Sequence, residues 1–235
     1  AGDFLEGDEW DTVMNYPFYL NLIDLIADEK ISVSQFVQNL GYLEGRLNKK
    51  CYPLMWNLID SHDTARFLHL CNNDKKKQHL AAAFQLLLPG MPMVYYGDEA
   101  GLCGFTDPDN RRTYPWGNED KNLIEFHKAM IRIHKSSEAF RTGSVKLLSG
   151  GGNLLCFARF NREDQFIVAV NNDDLARHLG ISVWGAGMPK NCELEQIMFT
   201  NEGGYSVVPV TYQVKNGHLN LTMQKRSAIV LRRKK

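Results

Sequence analysis

The sequence predicts an α/β domain of parallel strands and helical crossovers, followed by an antiparallel β domain. Three observations carry this. Two apolar runs, Leu54 to Ile59 and Met91 to Tyr96, each end in polar residues, Ser61-His62-Asp63 and Gly97-Asp98-Glu99. Segments with helical spacing of apolar residues lie before, between and after them. Near Gly143 the texture changes to short runs rich in β-branched and aromatic residues, separated by Gly, Asn and Asp. Strand and helix in alternation imply parallel strands joined through helices.

The elements follow in order. Trp10 to Tyr16 reads as a short strand closed by Asn15-Tyr16-Pro17. Ser32 with Gln35 has the spacing of a capping box, and Phe36, Leu40, Leu43 and Leu47 predict an amphipathic helix behind it. Leu54 to Ile59 is the second strand. A helix near Gln78 to Leu88 places Leu80, Phe84 and Leu87 on one face and stops at Pro89-Gly90. Met91 to Tyr96 is the third strand. A polar loop, Asp98 to Asp120, leads to a helix carrying Leu123, His127, Met130, Ile131 and His134. Beyond Gly143, strands are expected at Leu154 to Phe160, Phe166 to Asn171, Leu179 to Val183, Val207 to Val214, Leu219 to Met223 and Ala228 to Leu231. Asn171-Asn172-Asp173-Asp174 and Asn216-Gly217 are turn chemistry. Such spacing indicates an antiparallel β-sandwich over residues 143–235. Gly150-Gly151-Gly152 precedes a strand rather than a helix, so it reads as a loop tip and not a phosphate loop.

Composition excludes several function classes. Lys plus Arg and Asp plus Glu both total 27, leaving no net charge to attract nucleic acid or an anionic membrane. The ending Arg232-Arg233-Lys234-Lys235 reads as a solvated tail. No apolar run approaches the roughly 20 residues that span a bilayer. Five scattered cysteines, without CxxC or HExxH spacing, predict free thiols in a reducing compartment rather than zinc or a disulfide framework.

Three parallel strands cannot close a barrel, and a complete eight-stranded one takes roughly 250 residues. An open parallel sheet of this size would leave apolar edges uncovered. Residues 1–142 therefore read as the downstream piece of a larger domain.

The motifs sharpen this. Val13-Met14-Asn15-Tyr16-Pro17-Phe18, Ser61-His62-Asp63-Thr64-Ala65-Arg66 and Gly90-Met91-Pro92-Met93-Val94-Tyr95-Tyr96-Gly97-Asp98-Glu99-Ala100-Gly101 occur in order. Asp107-Pro108-Asp109-Asn110-Arg111-Arg112 and Pro115-Trp116 follow them. In these residues the chain resembles the α-amylase family of glycoside hydrolases, most closely its neopullulanase and cyclomaltodextrinase branch. The resemblance spans nearly the whole chain. It implies the C-terminal part of a (β/α)8 TIM barrel, about strands 6–8, followed by the family's β-sandwich domain.

The resemblance also implies a chemistry. A retaining glycosidase sets a carboxylate nucleophile and a carboxylic acid roughly 5 Å apart across the reacting sugar carbon. A third carboxylate in this family grips the sugar's 2- and 3-hydroxyls. Asp63 matches that third group, and His62 would bond hydroxyls of the same sugar. An ionised Asp only accepts and a His can donate, so the pair suits a diol edge. Asp107 and Arg111 match residues that hold the second or third sugar, and Tyr16 an aromatic lining the cleft. The nucleophile and acid belong to strands four and five, upstream of Ala1. Asp3, Glu6, Asp8 and Glu9 do not fit the Gly-Glu strand end and read as a surface segment. The expectation is a cytoplasmic α-glucan hydrolase acting on α-1,4 bonds, with α-1,6 bonds an open alternative. It would need no organic cofactor and no metal, and its partners would be an α-glucan oligosaccharide and the missing N-terminal part of the barrel. Homo-oligomer formation stays open.

Each residue has a plainer alternative. Asp63 could be a helix N-cap, His62 a satisfied histidine, Asp107 and Arg111 a turn's own ion pair, and Tyr16 strand-end packing. Met55, Trp56, Tyr95 and Tyr96 read as core, and Asp98 and Glu99 as structural. His127 and His134 are weak metal candidates, and Asp107-Pro108-Asp109-Asn110 imitates a calcium loop without its Gly and Glu. The competing function is a non-catalytic carbohydrate-binding or packing module, which would need an exposed row among Trp184, Phe199, Tyr205 and Tyr212.

Overall fold

The computed structural model describes residues 2–5, 9–47 and 49–235. Glu6 and Asp8 lie outside the described residues, and Glu9 is exposed. The chain divides into two compact units, Ala1–Lys128 and Ala129–Lys235.

In the first unit, helix α1 (Tyr16–Leu22) begins where a strand was expected to end. Pro17 sits in its first turn, where a missing N–H costs nothing, and the Asn15 side chain accepts from Phe18 N at 3.1 Å. The sequence signal was a cap, not a strand stop. A π-helical stretch, Ile23–Ala27, follows. Helix α2 (Val33–Arg46) has the expected capping box: Ser32 N donates to Gln35 Oε1 at 2.9 Å and Gln35 N to Ser32 Oγ at 3.3 Å. Its Val33 and Phe36 are buried, whereas Leu40, Leu43 and Leu47 are only half-covered.

The parallel core is small. β1 (Trp56–Asn57) pairs with β2 (Met91–Pro92) in parallel, Trp56 opposite Met91, and Met14 bridges to Trp56 from the other side. Two helices complete the crossover, α3 (Phe67–Leu70), which starts later than a helix capped by Asp63 would, and α4 (Lys75–Leu87), expected near Gln78 to Leu88. Both strands are shorter than their apolar runs. Leu54 belongs to a 3-10 turn, and past the paired residues a helix amide replaces a strand neighbour: Gln85 Nε2 of α4 donates to Met93 O at 2.6 Å and Asn57 O at 3.3 Å. Gly90 enters β2 at φ +133, where a side chain would also overlap the Asn57 amide.

Residues in register share a face. On one face Asn57 is fully buried, its amide held by Asn15 (2.9 Å) and Pro89 O (3.0 Å). On the other, Trp56 and Met91 remain 40% and 45% exposed. Trp56 is thus not a core residue as expected, and neither is Tyr96, which is also exposed; Met55 is buried. Half-buried Met14 continues this apolar stripe on the far side of Trp56.

Helix α5 (Lys121–Lys135) buries Leu123, Phe126, His127, Ala129, Met130 and Ile133, so Ile131 faces outward rather than inward. His79 of α4 packs on Phe126 with ring centroids 4.2 Å apart. Burial, and then the neighbouring His127, push the His79 pKa down to about 4. An unfolded histidine near 6.5 takes a proton over this window that the folded one refuses, so this contribution is complete above pH 6.5 and is lost as pH falls toward 4. Between pH 7 and 5 it amounts to about 2 kcal/mol. Asp60, raised to about 6 mainly by burial, opposes it by binding its proton more tightly when folded. The expected result is therefore differential: denaturant titrations of His79→Gln should lose about 2 kcal/mol less stability than the unsubstituted chain over that interval. Equal losses would refute it.

In the second unit, α6 (Glu138–Arg141) lies before nine strands. They are β3 (Ser144–Gly151), β4 (Leu154–Phe160), β5 (Gln165–Asn171), β6 (Arg177–Ser182), β7 (Cys192–Asn201), β8 (Gly204–Ser206), β9 (Thr211–Val214), β10 (His218–Met223) and β11 (Ser227–Arg233). A seven-stranded antiparallel sheet runs β3-β4-β5-β11-β7-β8, with β9 also on β7; β6 and β10 form a second, two-stranded sheet. Leu179, Ile181, Leu219 and Leu221 of the small sheet share one core with Cys156, Ala158, Ile167, Ala169, Ile229 and Leu231 of the large one. Antiparallel pairing was expected; β3, β7 and β8 were not, and of the strand expected at Val207 to Val214 only Thr211–Val214 forms. Gly150 and Gly151 belong to β3, the loop tip being Gly152, and Arg232 and Arg233 belong to β11 rather than to a tail. Of the aromatics considered for a sugar-binding row, Phe199 and Tyr212 pack against the core, Tyr205 is half-buried, and Trp184 stands 74% exposed on a 3-10 turn. They form no exposed row.

All five cysteines are free. Among the described residues no helix is long and apolar enough to cross a membrane.

Candidate active site

The three parallel segments deliver their following residues to one place. After β1, Ser61 to Thr64 fold into a tight turn: Ser61 N donates to Thr64 Oγ1 (2.9 Å), Thr64 N to Ser61 O (3.2 Å), and Asp63 N to Ser61 Oγ (3.1 Å). Local hydroxyls thus satisfy the backbone and leave the Asp63 side chain free to project, 57% exposed. The N-cap alternative fails. The helix that follows starts at Phe67, and Asp60, not Asp63, accepts its N–H at 2.7 Å.

Around Asp63 stand all four of the other residues expected at the site. His62 Nε2 lies 3.2 Å from Asp63 Oδ1. The Tyr16 hydroxyl, at the start of α1, donates to Asp63 Oδ2 at 3.4 Å and lies 3.3 Å from Ser61 Oγ. Arg111 Nη2 is 3.8 Å from Asp63 Oδ1, and its Nε is 3.0 Å from Asp107 Oδ1. One guanidinium therefore spans two carboxylates from different loops. All these groups are partly exposed, so the cluster is a lined depression of donors and acceptors rather than a buried network.

Its support is buried, and the sequence reading passed over it. Asn110 donates its amide to His62 O and Thr64 O, both at 2.8 Å, so the Arg111 loop is clamped to the Asp63 turn. Arg66, wholly buried, donates from Nε to Asn110 O (2.8 Å) and from Nη1 to Tyr96 O (2.7 Å), and its guanidinium lies 3.9 Å from the Tyr95 ring centre. Both residues stood in the quoted motifs; the missed signal was an Arg and an Asn inside apolar surroundings, which have to satisfy buried backbone groups. Gly104 has no room for a side chain, because a methyl there would overlap the Asp109 carbonyl.

The calcium-loop imitation is occupied by internal partners. Asp109 takes Phe105 N (2.6 Å) and Arg112 Nε (2.7 Å), and these bonds hold its carboxyl below the usual range. Asp107 is engaged by Arg111. Among the described residues no group of three or more His, Cys, Asp or Glu is placed to hold a metal, His127 and His134 included. Asp98 is buried against Arg66, and Glu99 accepts Gly97 N at 2.9 Å.

The profile of the family described as "Alpha amylase, catalytic domain" matches residues 1–144. The chain belongs to the α-amylase family. Relatives within this glycoside hydrolase family extend the match. A cyclomaltodextrinase from Thermoanaerobacter pseudethanolicus (strain ATCC 33223 / 39E) is 34% identical over 99% of this chain and 38% of its own length. Neopullulanase 2 of Thermoactinomyces vulgaris is 36% identical over 73% of this chain and 30% of its own length. A solved cyclomaltodextrinase structure superposes with a TM-score of 0.86 at 30% identity, covering 99% of this chain and 38% of that one. This α-amylase-family chain thus spans about 38% of the length of the two cyclomaltodextrinases that it matches almost end to end.

Proposed function

We propose that the chain is the C-terminal portion of a retaining α-glucan hydrolase of the neopullulanase and cyclomaltodextrinase type. Residues 1–142 supply about strands 6–8 of a (β/α)8 barrel, and residues 143–235 its β-sandwich domain. The substrate is an α-glucan oligosaccharide, cleaved at α-1,4 bonds, with α-1,6 bonds as the test's second substrate. The observation that carries this reading is the gathering of His62, Asp63, Tyr16 and Arg111–Asp107 at the exits of three consecutive parallel segments. Catalytic groups of barrel enzymes stand at such exits.

In this reading Asp63 accepts from the 2- and 3-hydroxyls of the reacting sugar, bonds that strengthen as positive charge develops at the ring. His62 binds the same sugar, Tyr16 lies against its face, and Asp107 with Arg111 grips the next residues of the glucan. The groups that break the bond come from the upstream strands, which cover the Met14–Trp56–Met91 stripe. The five free thiols suit a reducing, cytoplasmic setting.

The test is reducing-sugar release from maltotriose and pullulan. The 235-residue chain alone is expected to be inactive, and the same chain joined to upstream strands one to five to be active. Hydrolysis by the purified chain alone would overturn the division of roles.

A further inference from the structure

Beneath the exposed cluster lie two carboxylates and one cation that do not balance. Asp60, Asp98 and Arg66 are all buried, 1%, 3% and 0% exposed. Arg66 Nη1 is 3.3 Å from Asp98 Oδ1 and 3.9 Å from Asp60 Oδ1. Asp60 Oδ2 is satisfied by Phe67 N at 2.7 Å. That leaves one buried oxygen on each residue, Asp60 Oδ1 and Asp98 Oδ2, without a donor. Were both carboxyls ionised, the group would carry an excess negative charge away from water, with each unsatisfied oxygen adding its own penalty.

We propose that Asp60 and Asp98 share a single proton beside Nη1 of Arg66, and that this pair is a positioning unit for the His62–Asp63 turn and the Arg111 loop. The proton removes the excess charge and lets one carboxyl donate to the other, which accounts for both lone oxygens at once. Burial raises both groups, and each is a hydrogen-bonding neighbour of the other. Asp98 is raised further, by the Asp60 charge and then by Glu99. Asp98 Oδ1 accepts from Arg66 and Asp60 Oδ2 from Phe67, so the shared proton belongs to the two remaining oxygens, Asp98 Oδ2 and Asp60 Oδ1.

The surroundings agree. The groups facing the pair are Arg66 itself, Glu99 on the Asp98 turn, and Tyr19 of α1, whose hydroxyl is also raised chiefly by burial and in part by the Asp60 charge. Tyr95 and Tyr96 cover the guanidinium with their rings. From α4 the neutral Gln78 approaches, donating to the Asp98 carbonyl at 3.4 Å. No second cation faces the carboxyls among these groups. The mechanical consequence runs through Arg66. Fixed by the pair, it fixes Tyr96 O and Asn110 O, and Asn110 fixes the carbonyls of His62 and Thr64. The pair touches no substrate; it acts through Arg66 and Asn110.

The catalytic part of this inference rests on the function proposed above, but the proton does not, and the experiment separates them. Carbon NMR of aspartate Cγ in the whole chain at pH 7 should show one protonated carboxyl, and Asp98→Asn should remove that signal. An amide at 98 still donates to Asp60, so this variant should fold normally. In the enzyme assembled with its upstream strands, Asp98→Asn should keep kcat within about threefold. Asp98→Leu, which supplies no donor, should lower kcat roughly a hundredfold with KM little changed, the signature of a misplaced group. Aspartates that are all ionised at pH 7 would overturn the shared proton, whatever the activity. A protonated carboxyl together with unimpaired Asp98→Leu kinetics would overturn the positioning role. An enzyme inactive on every glucan, with the Asp98 signal present, would count against the proposed function alone.

Discussion

Replacing Asp63 by Asn in the assembled enzyme is expected to lower kcat/KM on maltotriose by roughly a thousandfold. Hydrogen bonds from the 2-hydroxyl to an ionised acceptor strengthen in the oxocarbenium-like transition state, and their loss costs several kcal/mol. About 4 kcal/mol corresponds to that factor. Because the strengthening happens only at the transition state, the loss should fall on kcat more than on KM. Asp107→Ala, at the proposed outer sugar contact, should instead raise KM with a smaller change in kcat. Steady-state kinetics on maltotriose and longer maltooligosaccharides measure both. A loss under tenfold for Asp63→Asn would show that another carboxylate grips the diol.

Arg66→Met is expected to be the most destabilising single change in the first unit, by about 3–5 kcal/mol. The thioether fills part of the volume but leaves the Asp60 charge buried without its cation, and frees the carbonyls of Tyr96 and Asn110. Arg66→Lys keeps the charge but not the fork that reaches Asn110 O and Tyr96 O together, so it should fall between the two. Urea unfolding followed by tryptophan fluorescence reads the shift; Trp10, Trp56 and Trp116 all lie in this unit. A change below 1 kcal/mol for Arg66→Met would mean that water or another group stabilises Asp60.

Much of this was legible in the residues, for reasons that differ by element. The capping box of α2 and the apolar period of α4 are local signals, and they survived folding. The α1 start was misread because Pro17 stops a strand and opens a helix equally well, and only the Asn15 side chain decides between them. β7 was missed because its first half alternates Glu193 and Glu195 with Leu194 and Gln196. Its one apolar run, Ile197 to Phe199, is only three residues long, too short to stand out as a strand. Trp56 and Tyr96 were placed in the core on hydrophobicity alone, which cannot tell a covered face from an uncovered one. At the site, the exposed groups were found by motif, whereas Asp60, Arg66 and Asn110 were not. Their work is to satisfy buried atoms contributed by distant loops, and that pairing exists only in three dimensions.

The Asn110 amide, bonded to the carbonyls on both sides of Asp63, makes two strand-exit loops into a single rigid jaw. In the proposed function the sugar held by Asp107 and Arg111 and the ring gripped by Asp63 therefore keep a fixed spacing, so shortening the oligosaccharide should raise KM more than it lowers kcat.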